Sequence, residues 1–330
     1  MNPFKVRSDG LIKLSSDPES RIVYRKSDIG RYFGMERIAL HHIVLDPGYR
    51  TSYPHAESLE EEFILVLKGR PTAWIDGRQY SLEEGDCIGF KAGTGSAHTF
   101  INNDSAPCEF LVAGDSTKWE NLCSFPVNPE LKASHSFIWW DNPPSRAMGQ
   151  ESSWPKLGNL GSLLKSEQPP TIKNWAFIKE NLPFSYQTCE VGETFTLGRD
   201  LTEALGLVSL GLYLDRLKPG KRSSWPHAHR FEDELLYILE GKAEVWVNGE
   251  TFTASPGEFV GFKSGTGDVH TVMNNSDNDV LLFVLGERNP SYVEQLYYSH
   301  HPKHNEFNIG RSRYWADAPK PLMGKASPVP

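Results

Sequence analysis

The chain of 330 residues has no excess of positive charge and no long apolar run. It carries 34 Lys and Arg against 42 Asp and Glu, a formal net charge of −8, and no basic stretch offsets this balance. Nucleic acid and anionic membrane surfaces are therefore not expected partners. No segment is apolar for the length that spans a bilayer, and the first residues lack the apolar run of a signal peptide. We expect a cytoplasmic protein that acts on small molecules.

Cysteine is also scarce. The four cysteines form no CxxC pair and have no counterparts between the two halves of the chain: Cys87, Cys108, Cys123 and Cys189. This usage is typical of reduced cysteines in a cytoplasmic protein.

What the chain does contain is a long internal repeat. Residues 48–103 and 220–275 align without a gap at a constant offset of 172 positions. A repeat of this length indicates a duplicated domain and not one large fold. The matching positions include turn glycines and five polar or proline pairs: Pro54/Pro226, His55/His227, Glu62/Glu234, His98/His270 and Asn102/Asn274. Histidines and a carboxylate kept among turn glycines indicate a binding site on a β scaffold.

Each repeat has the pattern of short antiparallel strands. Apolar or alternating runs follow one another at short, regular spacings, with no helix-length amphipathic segment between them. Asp76-Gly77 and Asn248-Gly249 are strong hairpin signals, because both central residues of a type I′ turn need a positive φ. The sequence therefore predicts an all-β fold, a sandwich or barrel in each half. Short helices are predicted only in the arms that follow the two cores, at residues 116–122 and 291–298.

The two halves meet at a segment rich in Ser, Gly and Pro, residues 150–170. We place the boundary near Ser153, which gives domains at residues 1–153 and 154–330. Residues 140–149 recur loosely at 315–324, so each core is expected to carry a C-terminal arm that packs back on the protein. The two β units are expected to meet through their sheets with pseudo-twofold symmetry, and a homo-oligomer remains possible.

The second half carries a set of potential metal ligands. His227 and His229 would point to the same face of a strand, because side chains alternate with period two. Glu234 begins the next predicted strand, and His270 follows a GTG turn onto another. If these strands line one barrel, three imidazoles and a carboxylate can converge on a divalent first-row transition metal: Zn, Mn, Fe, Ni, Co or Cu. Such a set leaves positions open for water or substrate.

This constellation resembles the cupin superfamily. The first cupin motif is similar to the following residues, with one extra residue before the first histidine: Gly220, His227, His229, Glu234 and Gly241. The second motif is similar to the following residues, with a lysine in place of a proline and two residues added before the histidine: Gly257, Lys263, Gly265, His270 and Asn274. The resemblance covers both halves and implies a bicupin, two tandem jelly-roll barrels. It also implies that His227, His229, Glu234 and His270 are the metal ligands.

The first half departs from this pattern. His55, Glu62 and His98 occupy three ligand positions, but Glu57 replaces the second histidine. One interpretation is a second, weaker site in which two imidazoles and two carboxylates bind a harder ion. The other is a site that has decayed in a barrel kept for packing. Glu60 and Glu61, beside Glu62, are expected to face solvent or at most to neighbour the ligands.

These observations favour a metal-dependent enzyme that acts on a small polar molecule such as an organic acid, keto compound or sugar derivative. Oxygenase, decarboxylase and isomerase activities all remain open. The alternative is a metal-containing sensor or storage-type protein that binds a small molecule without turnover. The absence of a helix-turn-helix segment and of a basic patch argues against a self-contained transcription factor.

Overall fold

The computed structural model describes residues 2–115, 120–149, 169, 171–288 and 291–330. In the first half the strands are β1 Lys5–Arg7, β2 Ile12–Asp17, β3 Ile22–Asp28, β4 Ile38–Leu45, β5 Ala56–Glu57, β6 Glu62–Lys68, β7 Thr72–Ile75, β8 Arg78–Ser81, β9 Asp86–Phe90, β10 His98–Ile101, β11 Cys108–Asp115 and β12 Cys123–Ser124. In the second half they are β13 Ile172–Asn174, β14 Leu197–Asp200, β15 Leu210–Leu217, β16 Lys221–Arg222, β17 His227–His229, β18 Glu234–Glu240, β19 Ala243–Val247, β20 Glu250–Ala254, β21 Glu258–Phe262, β22 His270–Asn274, β23 Val280–Glu287 and β24 Leu296–Tyr298.

The helices that the structure describes are short. The α-helices are α1 Ile29–Tyr32, α2 Leu201–Leu205 and α3 Pro302–Ile309, and the 3-10 turns are Ser8–Leu11, Pro129–Ala133, Ser136–Ile138 and Trp175–Phe177. Asp28 and Asp200 cap α1 and α2 in the same way, each accepting a hydrogen bond from the third backbone N–H that follows. The structural repeat therefore extends upstream of the segment that aligns by sequence. No helix among the described residues has the length and apolar character needed to cross a membrane.

Each half is a β unit built from facing sheets, as the alternation predicted. The long sheets have the order β13-β9-β6-β11-β4-β3-β2 and β1-β21-β18-β23-β15-β14. The sheets opposite them have the order β10-β7-β8 and β20-β19-β22-β17-β24. The predicted hairpins connect β7 to β8 and β19 to β20, and all four turn residues have positive φ: Asp76 47°, Gly77 76°, Asn248 51° and Gly249 84°.

Apolar side chains fill both β units and the space between them. One core cluster lies inside each unit, and a third joins residues of both halves. In that third cluster the rings of Phe63 and Phe283 stack at 5.5 Å between centroids. The halves thus meet through the outer faces of their long sheets, as expected.

The chain also exchanges strands between its halves. β1 pairs with β21 of the second half, and β13 pairs with β9 of the first. The domain boundary predicted near Ser153 lies outside the described residues and stays a prediction. Each long sheet therefore contains one strand that the other half of the chain contributes.

A reciprocal pair of acidic side chains fastens the halves together. The Glu61 carboxylate accepts hydrogen bonds from the backbone N–H groups of Val208, Ser209 and Leu210 at 2.8–3.3 Å. Asp233, its equivalent in the repeat, accepts hydrogen bonds from Glu36 and Arg37 of the first half at 3.2 and 3.4 Å. The expectation that Glu61 faces solvent is therefore wrong. Its side chain is 2% exposed because it satisfies N–H groups of the partner half that burial would otherwise leave unpaired.

The arms pack back on the cores, as expected, but their helices differ from the prediction. Residues 116–119 lie outside the described residues, and 120–122 are not helical. The helix predicted at 291–298 is wrong: Leu296–Tyr298 forms β24, which pairs with the ligand strand β17, and the helix α3 begins at Pro302. Pairing with the exposed edge of β17 outweighs the weak local preference of a short segment.

Candidate metal centre

Three imidazoles of the second half come together at one end of its β unit. Each of His227, His229 and His270 offers a ligand atom that lies within 4.8 Å of the other two. His227 and His229 share a face of β17 while Ala228 between them is buried on the other side. His227 also lies directly opposite His270 of β22 in the strand register. The predicted convergence of the three histidines is therefore present in the structure.

Glu234, at the start of β18, brings a carboxylate to the same point. Its Oε2 lies 2.7 Å from Nε2 of His270 and 4.0 Å from Nε2 of His229. The Nε2 atoms of His227 and His229 are 3.0 Å apart. Glu234 therefore lies beside two of the three imidazoles, although the group of ligand atoms within 4.8 Å of one another comprises the histidines without it.

The opposite ring nitrogens are directed away from this volume. Nδ1 of His227 donates to the carbonyl of Trp225 at 2.8 Å, and Nδ1 of His270 donates to the carbonyl of Asp268 at 2.9 Å. Nδ1 of His229 lies 3.6 Å from the Glu294 carboxylate. A proton on Nδ1 leaves the Nε2 lone pair free, which is the tautomer that a metal needs.

The pKa values of His227, His229 and Glu234 are shifted in different ways. Burial lowers the pKa of His227 to about 3, with a further contribution from the neighbouring imidazoles. Burial also opposes the charge on His229, but Glu294 and Glu234 outweigh it and raise its pKa above the ordinary value. Burial acts to raise the pKa of Glu234, yet the hydrogen bond and the charges of the imidazoles bring it down to about 2. The carboxylate is therefore ionised under all ordinary conditions.

This donor set fits a divalent first-row metal. Neutral imidazole and carboxylate are ligands that Zn²⁺, Mn²⁺, Fe²⁺ and their neighbours accept. The side chains come from three different strands, and stacking of Phe262 on the His270 ring at 3.7 Å fixes one of them. The arrangement can hold a cation from one side and leave the other side open.

The first half has a smaller version of the same cluster. His55, Glu62 and His98 offer ligand atoms within 4.8 Å of one another, and Glu57 is not part of this group among the described residues. Nε2 of His98 lies 2.6 Å from Oε2 of Glu62, and Phe90 stacks on the His98 ring as Phe262 does on His270. Burial and the charge of Glu62 raise the pKa of Glu57 to about 8. A carboxyl that is protonated near neutrality is a weak ligand.

Two neighbouring spaces adjoin the second cluster. The first, here called the inner cavity, has a volume of about 350 Å³ and lies inside the second β unit, where it is lined by all four predicted ligands and by Tyr213, Asp215, Ser223, Leu236, Val272, Leu282, Val284 and Tyr298, among others. The second, the outer cleft, has a volume of about 730 Å³ and shares His229, Glu232 and Leu296 with the inner cavity. A small molecule could reach the cluster by this route.

Several residues of the site are absent from the sequence prediction. Glu294 follows the second core in the arm, with no counterpart in the aligned repeat, so only folding brings it to His229. Asp215 has a detectable signal: it interrupts an apolar strand at the position where the first half has Ile43. Tyr298, whose ring lies 5.6 Å from that of His227, belongs to the strand that was predicted as a helix.

Two segments of the chain match the family model described as "Cupin domain", at residues 41–114 and 213–286. The chain is a two-domain cupin. The matched segments contain both ligand clusters of this cupin, whereas Glu294 and β24 lie beyond them.

Known proteins share this architecture at low sequence identity. The quercetin 2,3-dioxygenase of Bacillus subtilis (strain 168) is 23% identical over 257 residues, which cover 74% of this cupin and 72% of the relative. Oxalate decarboxylase from Lactobacillus farciminis, in a formate complex, aligns with a TM-score of 0.54 at 15% identity over 94% of this chain and 91% of that one. A variant of the Bacillus subtilis oxalate decarboxylase gives 0.54 at 18% identity, over 99% and 88%. At these identities the structural likeness concerns the fold.

Proposed function

We propose that the second half is the active domain of a metal-dependent enzyme that acts on a small polar molecule. The observation that carries this proposal is the convergence of His227, His229 and His270 at the wall of the inner cavity, with Glu234 beside two of them. A closed structural site would not need a cavity of about 350 Å³ beside its ligands.

A divalent ion bound there would polarise a substrate oxygen as a Lewis acid or activate water or O₂. His227, His229, Glu234 and His270 would hold the ion, and the Trp225 and Asp268 carbonyls would keep two of the imidazoles in the ligating tautomer. Glu294 would orient the third. The names of the relatives support a metal enzyme: one is a dioxygenase, and a structure of the Bacillus subtilis oxalate decarboxylase is described by its Mn(II) centres. Organic acids, keto compounds and sugar derivatives are the substrate classes to examine first.

The first half is proposed to bind metal more weakly. Its cluster provides His55, Glu62 and His98, and the protonated Glu57 carboxyl adds no charge near neutral pH. We expect about one tightly bound ion per chain, held by the second half.

The test combines metal analysis with turnover. The full chain is loaded with each candidate ion, dialysed, and assayed for bound metal and for activity on a panel of organic acids, keto compounds and sugars. His270→Ala should lose the tight ion and all turnover, while His98→Ala should keep both. His300→Ala, which removes an exposed imidazole, is the matched control.

The outcomes separate the candidate functions. Metal retained by His270→Ala would refute the ligand assignment. Tight metal without turnover on any compound would favour the sensor or storage function instead.

A further inference from the structure

The inner cavity has a second polar end, opposite the imidazoles. Along β15 the leucines Leu210, Leu212 and Leu214 face the core between the halves, so Tyr213 and Asp215 face the inner cavity. Asp215 pairs with Leu282 of β23, which pairs in turn with Ile238 of β18. Gly211 pairs with Gly286, which pairs in turn with Glu234. Asp215 therefore lies four residues farther along the barrel wall than the predicted ligands.

The two polar ends are separated by apolar side chains. Leu236, Val272, Leu282 and Val284 line the inner cavity between them. On the neighbouring strand Gly198 faces Asp215, and a Cβ at that position would lie 2.8 Å from Oδ1 of Asp215. The backbone therefore leaves room for this carboxyl because residue 198 has no side chain.

The Asp215 carboxyl accepts a hydrogen bond from the Thr196 side chain but forms no ion pair with any of the described residues that line the inner cavity. The other acids of the inner cavity have charged or hydrogen-bonding partners. Glu234 belongs to the imidazole cluster, and Glu232 lies 4.0 Å from Nδ1 of His229. Asp233 accepts hydrogen bonds from backbone N–H groups at the interface, and Glu287 lies 3.9 Å from the Arg37 guanidinium. None of the described residues that line the inner cavity is Lys or Arg. Burial raises the pKa of Asp215 to about 7, the Thr196 side chain lowers it in part, and the charge of Glu234 raises it further.

We propose that Asp215 determines the substrate class of the second half by binding a hydroxyl or amine at the far end of the substrate. This inference rests on the proposed function, because it takes the near end of the substrate to be the end held at the metal. A donor group at the far end replaces water on Asp215 and satisfies its oxygens. A carboxylate at the same place would bring two like charges together in an apolar wall without a cation between them. The first half, with Ile43 at this position, lacks the second polar end.

The substrate that fits is therefore a molecule with metal-binding oxygens at one end and a neutral or cationic donor at the other, with an apolar or ring-shaped middle. The same geometry disfavours dicarboxylates. The cationic side chains Arg288 and Arg313 line the outer cleft and not the inner cavity, and Arg288 lies 3.5 Å from Asp200.

Three ligands that share one chelating head test this inference: 3,4-dihydroxybenzyl alcohol, 3,4-dihydroxybenzylamine and 3,4-dihydroxybenzoate. Binding to the zinc-loaded full chain is measured by titration calorimetry at about pH 8, where Asp215 is mostly ionised. Zinc is chosen because it has no redox chemistry of its own. The wild type should bind the alcohol and the amine about tenfold more tightly than the benzoate.

Asp215→Asn should reduce this preference to about threefold or less, mainly by improving the affinity for the benzoate. Asp277→Asn, in an exposed turn of the same half, should leave the preference unchanged. Asn has the shape of Asp, and loss of a buried charge should not unfold the protein, which circular dichroism checks. Asp215→Ser provides a second variant that also removes the charge.

Equal binding of the three ligands by the wild type, or an unchanged preference in Asp215→Asn and Asp215→Ser, overturns the inference and leaves the proposed function standing. Failure of the wild type to bind zinc, or zinc-independent binding of all three ligands, overturns both.

Discussion

At the scale of single residues, His227 and His229 of the second cluster differ in their affinity for protons. Burial keeps His227 neutral far below its ordinary pKa, whereas two carboxylates raise the pKa of His229. Because a protonated imidazole cannot ligate, acid should remove His229 from the metal before it removes His227.

Metal retention should therefore depend on pH through His229. We expect bound metal to fall sharply as the pH drops below about 6, because protonated imidazole cannot ligate, and the raised pKa of His229 makes it gain a proton before His227 does. Equilibrium dialysis at a series of pH values measures this loss. Stoichiometric metal at about pH 4 would contradict ligation by histidine.

Glu294→Gln provides the matched variant for this experiment. The amide oxygen can still accept the hydrogen bonds from the N–H groups of Arg230 and Phe231, but the negative charge beside His229 is removed. The pKa of His229 should fall, so the variant should keep its metal to a lower pH than the wild type. A shift in the opposite direction would show that Glu294 does not act through His229.

At the scale of secondary structure, the β19–β20 hairpin anchors the C-terminal arm. Gly324 donates from its N–H to the Asn248 carbonyl at 2.7 Å, and Ala326 donates to the Gly249 carbonyl at 2.8 Å. A Cβ on Gly249 would lie 2.4 Å from the Gly324 backbone. The turn therefore requires glycine both for its φ of 84° and for the approach of the arm.

Gly249→Ala should lower the free energy of unfolding by more than the strain of a positive φ alone would cause. Gly220→Ala is the control, because Gly220 has a φ of 70° but a Cβ added there would have no atom within 4 Å. The control should cost about 1–2 kcal/mol of unfolding free energy, and Gly249→Ala clearly more. Urea denaturation measures both, and limited proteolysis should release the arm only from Gly249→Ala. Equal losses for the two variants would mean that the arm contributes nothing at this turn.

At the scale of the whole molecule, the halves are joined by a shared apolar core, by exchanged strands and by the reciprocal acids Glu61 and Asp233. Each of these acids directly precedes the carboxylate of its own ligand cluster, Glu62 or Glu234. At the start of β6 and of β18, one acidic residue therefore joins the halves and the next belongs to a candidate metal centre.

Glu61→Gln should weaken the contact between the halves. The amide has one acceptor oxygen and no charge for the three N–H groups that Glu61 now satisfies, so we expect a loss of about 1–3 kcal/mol in unfolding free energy. Glu84→Gln, at an exposed turn of the same half, should change stability by less than about 0.5 kcal/mol. Denaturant unfolding compares the two, and similar midpoints would rule out a stabilising role for this contact.

Much of this architecture could be predicted because it is encoded locally and twice. The hairpin turns follow from Asp76-Gly77 and Asn248-Gly249, whose residues tolerate positive φ, and the two-residue spacing of His227 and His229 alone places both on one face. The errors lie where a short segment has weak local preferences. Residues 296–298 became a strand because β17 offered an open edge, and Glu61 became buried because the other half presents unpaired N–H groups.

The sequence by itself determined the duplication, the all-β class and the identity of the four side chains that converge in the second half, since periodicity and turn chemistry act between near neighbours. The tertiary structure decided what surrounds them. Glu294 reaches His229, Asp215 lines the inner cavity, and β1 and β13 cross to the opposite halves. These contacts join residues distant along the chain, and only the packing of one half against the other, and of the arm against its core, brings them within reach.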